Sequence, residues 1–169
     1  EPALGVHLAL AHIDRLGRPG LDLAASAVTV SRAVRLLDQV LRDAPGHWAA
    51  LYARGLCKLL WPSKTRRARD ATVDLERCLH NLEASREALA TWPVHLLLGD
   101  AEVKQRRYAL ARQHYEWVLA ATGRRPELTA RLDLNGAALL DHVESLHSLT
   151  QPVDTDLAPF WTATAPGEP

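Results

Sequence analysis

The sequence predicts an all-α fold in which about seven helices stack as antiparallel pairs. Apolar residues recur at every third and fourth position through most of the 169 residues, and no convincing two-residue alternation of a β-strand appears. Two segments, 48–55 and 92–99, each place a Trp seven residues before a Gly. Seven residues are two helical turns, so the Trp and the Gly share one face. This repetition at a separation of 44 residues indicates a short α-solenoid built from helical repeats.

Composition and charge limit the function classes. Apolar residues make up 47% of the chain and charged residues 24%, as in a globular domain that needs no disulfide staples. The formal net charge is zero, so no global field attracts nucleic acid or an acidic membrane. The longest apolar runs are interrupted within about eight residues, too soon to span a membrane. We therefore expect a soluble, cytoplasmic protein that binds neither nucleic acid nor membrane.

Cysteine usage and the chain ends bear on the cellular context. The two cysteines, Cys57 and Cys78, lie in helical patterns and are expected to be buried and reduced. Arg far outnumbers Lys, beside many Ala and Leu, a composition typical of a GC-rich bacterial genome. The chain begins at Glu1 and contains no Met, so we expect a trimmed N-terminus and leave open a removed targeting segment.

The first three helices are separated by Gly and Pro. The run Gly-Arg-Pro-Gly at 17–20 ends the first helix, because Pro lacks an N–H and Gly is unfavourable inside a helix. Asp22 is the expected N-cap of the second helix, since its carboxylate can accept from a free N–H of the first turn. The predicted bounds are Leu4 to Leu16, Leu23 to Arg42 and Trp48 to Leu60.

The remaining helices follow the same pattern. The fourth begins between Lys64 and Asp70. Thr91 is the expected N-cap of the fifth, with Pro93 in the first turn, where its missing N–H is harmless. Gly123 ends the sixth as a left-handed C-cap. The fourth helix is predicted to end at about Leu89. The predicted bounds of the others are Thr91 to about Lys104 for the fifth, Tyr108 to Ala121 for the sixth, and Pro126 to about Ser148 for the seventh.

These helices divide the chain into three segments. Residues 1–22 are expected to form an N-terminal helix and loop that pack on the stack, and residues 23–148 a helical repeat domain. Residues 149–169 are rich in Pro, Thr and Ala and are predicted to be an extended or disordered tail, docked through Phe160 and Trp161.

The fifth and sixth helices share residues at a characteristic spacing: Leu98, Gly99, Tyr108, Ala111, Tyr115 and Val118. This set resembles the tetratricopeptide repeat, which places Leu-Gly on its first helix and Ala and an aromatic residue, one turn apart, on its second. In that family the small residues let two helices approach closely, and the aromatic residue fills the gap to the next repeat.

The resemblance covers about residues 23–148. The spacing of Ala33, Leu37, Val40 and Pro45 matches a second helix with the family's terminal Pro, and the run 134–136, Leu-Asn-Gly, offers a third first helix. The 44 residues between the two matched glycines exceed the family's period of about 34. A plain helical bundle and a solenoid of longer repeats are therefore alternatives.

The aromatic residues depart from the family pattern. Leu51 and His95 stand where the family has its Trp, whereas Trp48 and Trp92 fall one turn earlier. We predict that these two tryptophans seal each first helix against the preceding helix rather than mark a site.

The resemblance implies a concave binding groove formed by the first helix of each pair. Its apolar lining with a few carboxylates implies a protein or peptide partner, either an amphipathic helix or an extended apolar segment. The alternative is that the first helix or the tail covers these side chains and makes the groove internal core. The groove positions fall on Tyr52, Leu56, Leu59, Leu60, Leu96, Asp100, Val103, Lys104, Asp133, Ala137, Leu140 and Asp141.

A basic run opens the fourth helix, formed by Lys64, Arg66, Arg67 and Arg69. Cations at a helix N-terminus oppose the helix dipole, and Asp70 can offset Arg66 from four residues away. One interpretation is a solvated helix end. The other is an anionic docking patch for an acidic peptide or a phosphate group.

Eight histidines raise the question of a metal, cofactor or catalytic site. The pair Glu144 and His147 has the three-residue spacing of di-iron bundles, but no second such motif occurs. No His-Glu-x-x-His, Cys-x-x-Cys, Gly-x-Ser-x-Gly or phosphate-loop pattern is present. We therefore predict no catalytic residue, metal or cofactor.

The leading hypothesis is a non-enzymatic adaptor, scaffold or accessory subunit that binds a partner protein in its groove. A second hypothesis is an α-helical enzyme, or a metal- or cofactor-binding protein, that uses clustered histidines; the histidines in question are His95, His114, His142 and His147. A third is the repeat region of a larger regulator.

Overall fold

The computed structural model describes residues 2–85 and 89–161, and these residues contain helices and no strand. The predicted all-α fold, with helices packed in neighbouring pairs, is confirmed. Two short 3₁₀ turns lie at Ser63–Thr65 and Ala158–Phe160. The eight α-helices in these ranges are α1 (Pro2–Ile13), α2 (Leu23–Asp43), α3 (Trp48–Leu59), α4 (Arg67–Glu83), α5 (Trp92–Lys104), α6 (Tyr108–Thr122), α7 (Pro126–Asp133) and α8 (Gly136–Leu146).

The most extensive packing joins α1 to α2, α3 to α4 and α5 to α6. Secondary contacts join α2 to α3 and α4 to α5, so the pairs follow one another along the chain. Local signals set the bounds of α2, where Asp22 Oδ1 accepts a 2.7 Å hydrogen bond from the N–H of Ala25.

Both cysteines are buried and free, and burial raises the pKa of each thiol to about 12.

The prediction of one continuous seventh helix is wrong, because the helix is interrupted between α7 and α8. Leu134 and Asn135 are extended, and Gly136 has a φ of +53°. Asn and Gly are poor helix formers, and a positive φ favours Gly, so this run interrupts the apolar pattern. The run 134–136 is thus a linker that ends one helix and starts the next, rather than the Leu-Gly of a third first helix.

Two further bounds differ from the prediction. The first helix spans Pro2–Ile13, and Leu16 is buried in the turn that follows it. The fourth helix ends at Glu83 rather than near Leu89, and the N–H of Ala84 closes its last turn on the carbonyl of His80. Part of the predicted extension, residues 86–88, lies outside the described residues.

The helix α5 is the centre of the molecule. Its buried side chains divide between two apolar clusters, one shared with α1 to α4 and the other with α6 to α8. Val94 and Leu98 belong to the first cluster, and Trp92 and Val103 to the second. A helix that is covered on most sides needs apolar residues on most sides, and the sequence of α5 has them.

Two glycines allow the close approach of paired helices. A Cβ on Gly55 would lie 2.8 Å from Cγ of Leu75 on α4. A Cβ on Gly99 would lie 2.3 Å from the ring of Tyr115 on α6. Both contacts are shorter than real Cβ contacts, so the paired helices could not pack at this distance with a larger residue. None of the described helices is both long and apolar enough to cross a membrane.

Candidate groove and its buried polar support

The C-terminal segment returns across the helices and docks through Phe160. Phe160 is 1% exposed, and its ring centroid lies 4.7 Å from that of Trp48 and 4.8 Å from that of Tyr52. Its carbonyl accepts a 2.8 Å hydrogen bond from the N–H of Ala90, just before α5. Trp161 is 60% exposed and meets Trp48 edge-on at 5.8 Å. The structure therefore gives Trp48 its aromatic partners in this segment.

We call residues 149–161 the tail. Its residues from 152 to 157 belong to no helix or strand, and from 153 to 158 partly exposed residues alternate with exposed ones. Val153 and Leu157 turn towards the helices and pack on the core, while Asp154 and Asp156 are exposed. Pro152 lies so close to Gly17 that a Cβ there would meet its backbone nitrogen at 2.3 Å.

A cavity of about 420 Å³ lies between the tail and the helices α3, α5, α7 and α8. Three of the predicted groove residues, Tyr52, Leu56 and Leu96, line this cavity. We call it the groove cavity. The tail contributes Pro152, Val153 and two carboxylates to its wall. Three predicted groove residues thus share one cavity, and the tail forms part of its wall.

The other predicted groove residues lie away from this cavity. Leu59 and Val103 are fully buried, so neither can contact a partner at the surface. Asp133 is exposed at the end of α7, 3.7 Å from Arg124. Asp100 and Lys104 are buried charged residues. Arg131 of α7 lies against Asp100, and Glu144 of α8 lies against Lys104, so both charged residues face neighbouring helices rather than a partner.

Asp100 is the hub of a buried polar network behind the groove cavity. Arg131 of α7 donates to both carboxylate oxygens, from Nε at 2.7 Å and from Nη2 at 2.6 Å. Tyr115 donates its hydroxyl at 2.7 Å, and Nε2 of His147 lies 2.7 Å from the second oxygen. One side chain of α5 therefore connects α6, α7 and the residue that follows α8.

The charges of this network compensate one another. Burial alone would raise the pKa of Asp100, but the Arg131 guanidinium and the bond to His147 hold that pKa well below its usual range. Burial also raises the pKa of Tyr115, and the adjacent carboxylate adds to this effect. A fully buried carboxylate is tolerable only when its oxygens are bonded in this way. Asp100 is therefore ionised, and its oxygens are already bonded.

Lys104 forms a second buried connection one turn further along α5. Its Nζ donates to the carbonyls of Leu59 at 2.6 Å, Trp61 at 3.0 Å and His147 at 3.2 Å. Glu144 of α8 lies 3.2 Å from the same nitrogen. Burial lowers the pKa of Lys104, and Glu144 opposes that change. This lysine joins the ends of α3 and α8, so its role is in the fold rather than in a surface groove.

The four histidines of the second hypothesis form two separate groups. His142 and His147 line the groove cavity. His95 and His114 pair on the outer side of α5 and α6, where their Nδ1 atoms lie 3.0 Å apart. The ring of Trp117 stacks on His95 at 3.9 Å. Among the residues that the structure describes, no three His, Cys, Asp or Glu side chains gather around one point.

Glu144 and His147, the pair with di-iron spacing, are used elsewhere. Glu144 accepts a 2.7 Å bond from the N–H of Ser63 in addition to its contact with Lys104. His147 is bonded to Asp100. The two side chains therefore support the packing of α8 rather than face a common ligand.

The four cations of the basic run are exposed, as both interpretations require. The guanidinium of Arg67 lies over the ring of Trp61, 4.4 Å from its centroid. Arg66 has a φ of +60° and links the 3₁₀ turn to α4. Within the described ranges it forms no ion pair with Asp70. Lys64 and Arg69 complete the exposed set, and the anionic docking patch stays a prediction.

No protein-family model, curated protein or solved structure matches this chain. The resemblance to the tetratricopeptide repeat therefore depends on the residues of the chain itself.

Proposed function

We propose that this chain is a tetratricopeptide-like binding module that holds an extended apolar segment of a partner protein in the groove cavity. The observation that carries the proposal is the lining of this cavity. Tyr52, Leu56 and Leu96 come from the first helices of two successive pairs and face one space of about 420 Å³. That volume is in the range of pockets that take up small apolar groups or a few side chains of a peptide.

The chemistry of the lining favours binding over catalysis. The apolar side of the cavity consists of leucines, prolines and aromatic residues. Its most buried polar side chains, Arg131 and His147, are both bonded to Asp100. Because these groups already satisfy one another, they hold the wall of the cavity in place and leave the apolar surface to provide affinity.

The rigidity of the wall supports the same proposal. Asp100 fixes α7 and α8 against α5, and Lys104 fixes the end of α8 against α3. A groove whose walls are held in advance loses little conformational entropy on binding, so most of the ordering falls on the peptide.

A peptide selection tests this function without knowledge of the natural partner. A polyvalent display library of random 12-residue peptides is selected on the immobilised full chain, because polyvalency retains weak ligands. We expect enrichment of sequences with aromatic and aliphatic residues. Binding of the enriched peptides should fall at least tenfold in Leu96→Asp, which places a charge in the cavity, and also in Tyr52→Ala.

Leu110→Asp is the matched control, because Leu110 lies on α6, outside the groove cavity, and is 42% exposed. This variant should bind the selected peptides as the parent chain does. Circular dichroism verifies that each variant is folded. If no motif is enriched, or if folded Leu96→Asp binds as well as Leu110→Asp, the groove assignment is wrong.

A further inference from the structure

The tail forms one wall of the groove cavity, and its anchor Phe160 lies against Tyr52, which also lines that cavity. The tail inserts this aromatic side chain between Trp48 and Tyr52, and the carbonyl of Phe160 accepts a hydrogen bond from the N–H of Ala90. A segment held by an anchored side chain and by main-chain bonding is a general mode of peptide recognition.

We infer that residues 152–161 are an intramolecular ligand that competes with partner segments for the groove. This inference depends on the proposed function, since it names the regulation and the ligand class of the same site. The partner segment that fits carries an aromatic residue with aliphatic residues three and seven positions before it. That spacing is the one shown by Phe160, Leu157 and Val153.

The tail is attached less firmly than the helices it lies on. Between residues 152 and 161, Phe160 is the residue with a buried side chain, whereas Val153 and Leu157 are partly exposed. Residues 152–157 have no helical backbone ladder to hold them. Segments with few buried contacts and a solvated backbone open at a lower free energy than core helices. The tail can therefore leave the groove while the helices remain folded.

Tethering sets how strongly the tail competes. A segment joined to its own groove has an effective concentration of about millimolar, so it outcompetes weak ligands. The apparent affinity of a free peptide is then its intrinsic affinity multiplied by the fraction of molecules whose groove is open. Loss of the Phe160 anchor should raise the affinity for a free peptide by roughly tenfold or more.

The test uses the full chain and a fluorescent synthetic peptide that corresponds to residues 149–161. Binding is measured by fluorescence anisotropy to the parent chain, to Phe160→Ala and to Leu157→Ser, a milder variant that loosens a partly exposed anchor. Trp117→Ala is the matched control, because it removes an aromatic side chain on α6 that is 42% exposed and lies outside both the tail and the groove cavity. A peptide that carries Phe160→Ala verifies that the aromatic side chain is what the groove recognises.

We expect Phe160→Ala and Leu157→Ser to bind the peptide at least tenfold more tightly than the parent chain and Trp117→Ala do. The altered peptide should bind none of them. Amide hydrogen exchange adds a local readout, because the N–H of Ala90 is bonded to the tail. Its exchange should be faster in Phe160→Ala and should slow again when the peptide is added.

Failure of this inference is distinct from failure of the proposed function. If library peptides bind the parent chain and folded Phe160→Ala equally well, the groove binds peptides and the tail is not their competitor. If no peptide binds either variant, the proposed function is wrong as well. If the parent chain is a dimer and Phe160→Ala is a monomer, the tail of a second copy occupies the groove. That result would overturn the inference.

Discussion

Substitution of Gly99 by Ala tests whether the repeated glycine is required by helix packing. The added Cβ would lie 2.3 Å from Cε1, 2.7 Å from Cδ1 and 2.9 Å from Cζ of the Tyr115 ring. Tyr115 is 1% exposed, and its hydroxyl is bonded to Asp100 at 2.7 Å, so the ring has no free direction of movement. The helices must separate or the hydroxyl must leave its carboxylate partner.

The expected magnitude follows from three contributions. Overpacking in a core destabilises by about 1–3 kcal/mol. Loss of a hydrogen bond to a charged group destabilises by about 1.5–3 kcal/mol. The higher helix propensity of Ala offsets about 1 kcal/mol. We expect Gly99→Ala to lower the free energy of unfolding by about 1.5–5 kcal/mol, with a matching fall in the urea midpoint followed by circular dichroism.

Gly55→Ala is the matched control in the preceding helix pair. Its Cβ would meet Leu75 at 2.8 Å, but that aliphatic side chain has no hydrogen bond to lose. We expect a change of about 0–2 kcal/mol in the free energy of unfolding. A double-mutant cycle of Gly99→Ala with Tyr115→Leu should show coupling, since the smaller side chain relieves the contact. If Gly99→Ala is no more destabilising than Gly55→Ala, the packing argument fails.

Two further predictions concern buried and paired titratable groups. Asp100→Asn should lower the free energy of unfolding by about 3–5 kcal/mol in urea titrations, because it leaves the Arg131 guanidinium buried without its counter-charge; unchanged stability would contradict the network. Burial, with a smaller effect from His114, lowers the pKa of His95 to about 4. The unfolded chain therefore takes up this proton first as the pH falls, so stability should decrease from pH 6.5 towards 4. The loss, reduced by solvent screening, should be about 1–2 kcal/mol and should be smaller in His95→Gln. A pKa for His95 near 6.5 by NMR titration would contradict this.

Periodicity and capping residues predicted the helices because those signals are local. Asp22 marks the start of its helix because its carboxylate accepts a hydrogen bond from the N–H of Ala25, three residues later. Pairs of residues this close in the chain can be recognised from the sequence. The apolar pattern does not predict the break at Asn135 and Gly136, because it continues across these two poor helix formers. The glycine contacts were predicted in kind, since a small residue repeated on one helix face indicates close packing.

Three of the predicted groove residues line the groove cavity and others do not, for a reason that concerns α5. The sequence pattern of a helix distinguishes a buried face from an exposed one, but this helix is covered on most sides. Asp100 and Lys104 were assigned to the groove, although their partners lie between 15 and 47 residues away in the chain. A charged residue in the middle of the most enclosed helix was the available signal, but only tertiary structure identifies its partners.

The contact of the tail with the start of the chain has a consequence for the evolution of repeat number. Helical repeat proteins ordinarily lengthen by adding units, because each unit touches only its neighbours. Here the segment after α8 must reach Gly17 and Trp48 near the other end. Thirteen extended residues span at most about 45 Å, and each added helix would increase the required distance by roughly 10 Å. The closing segment therefore limits how many repeats this architecture can gain without losing its own end contacts.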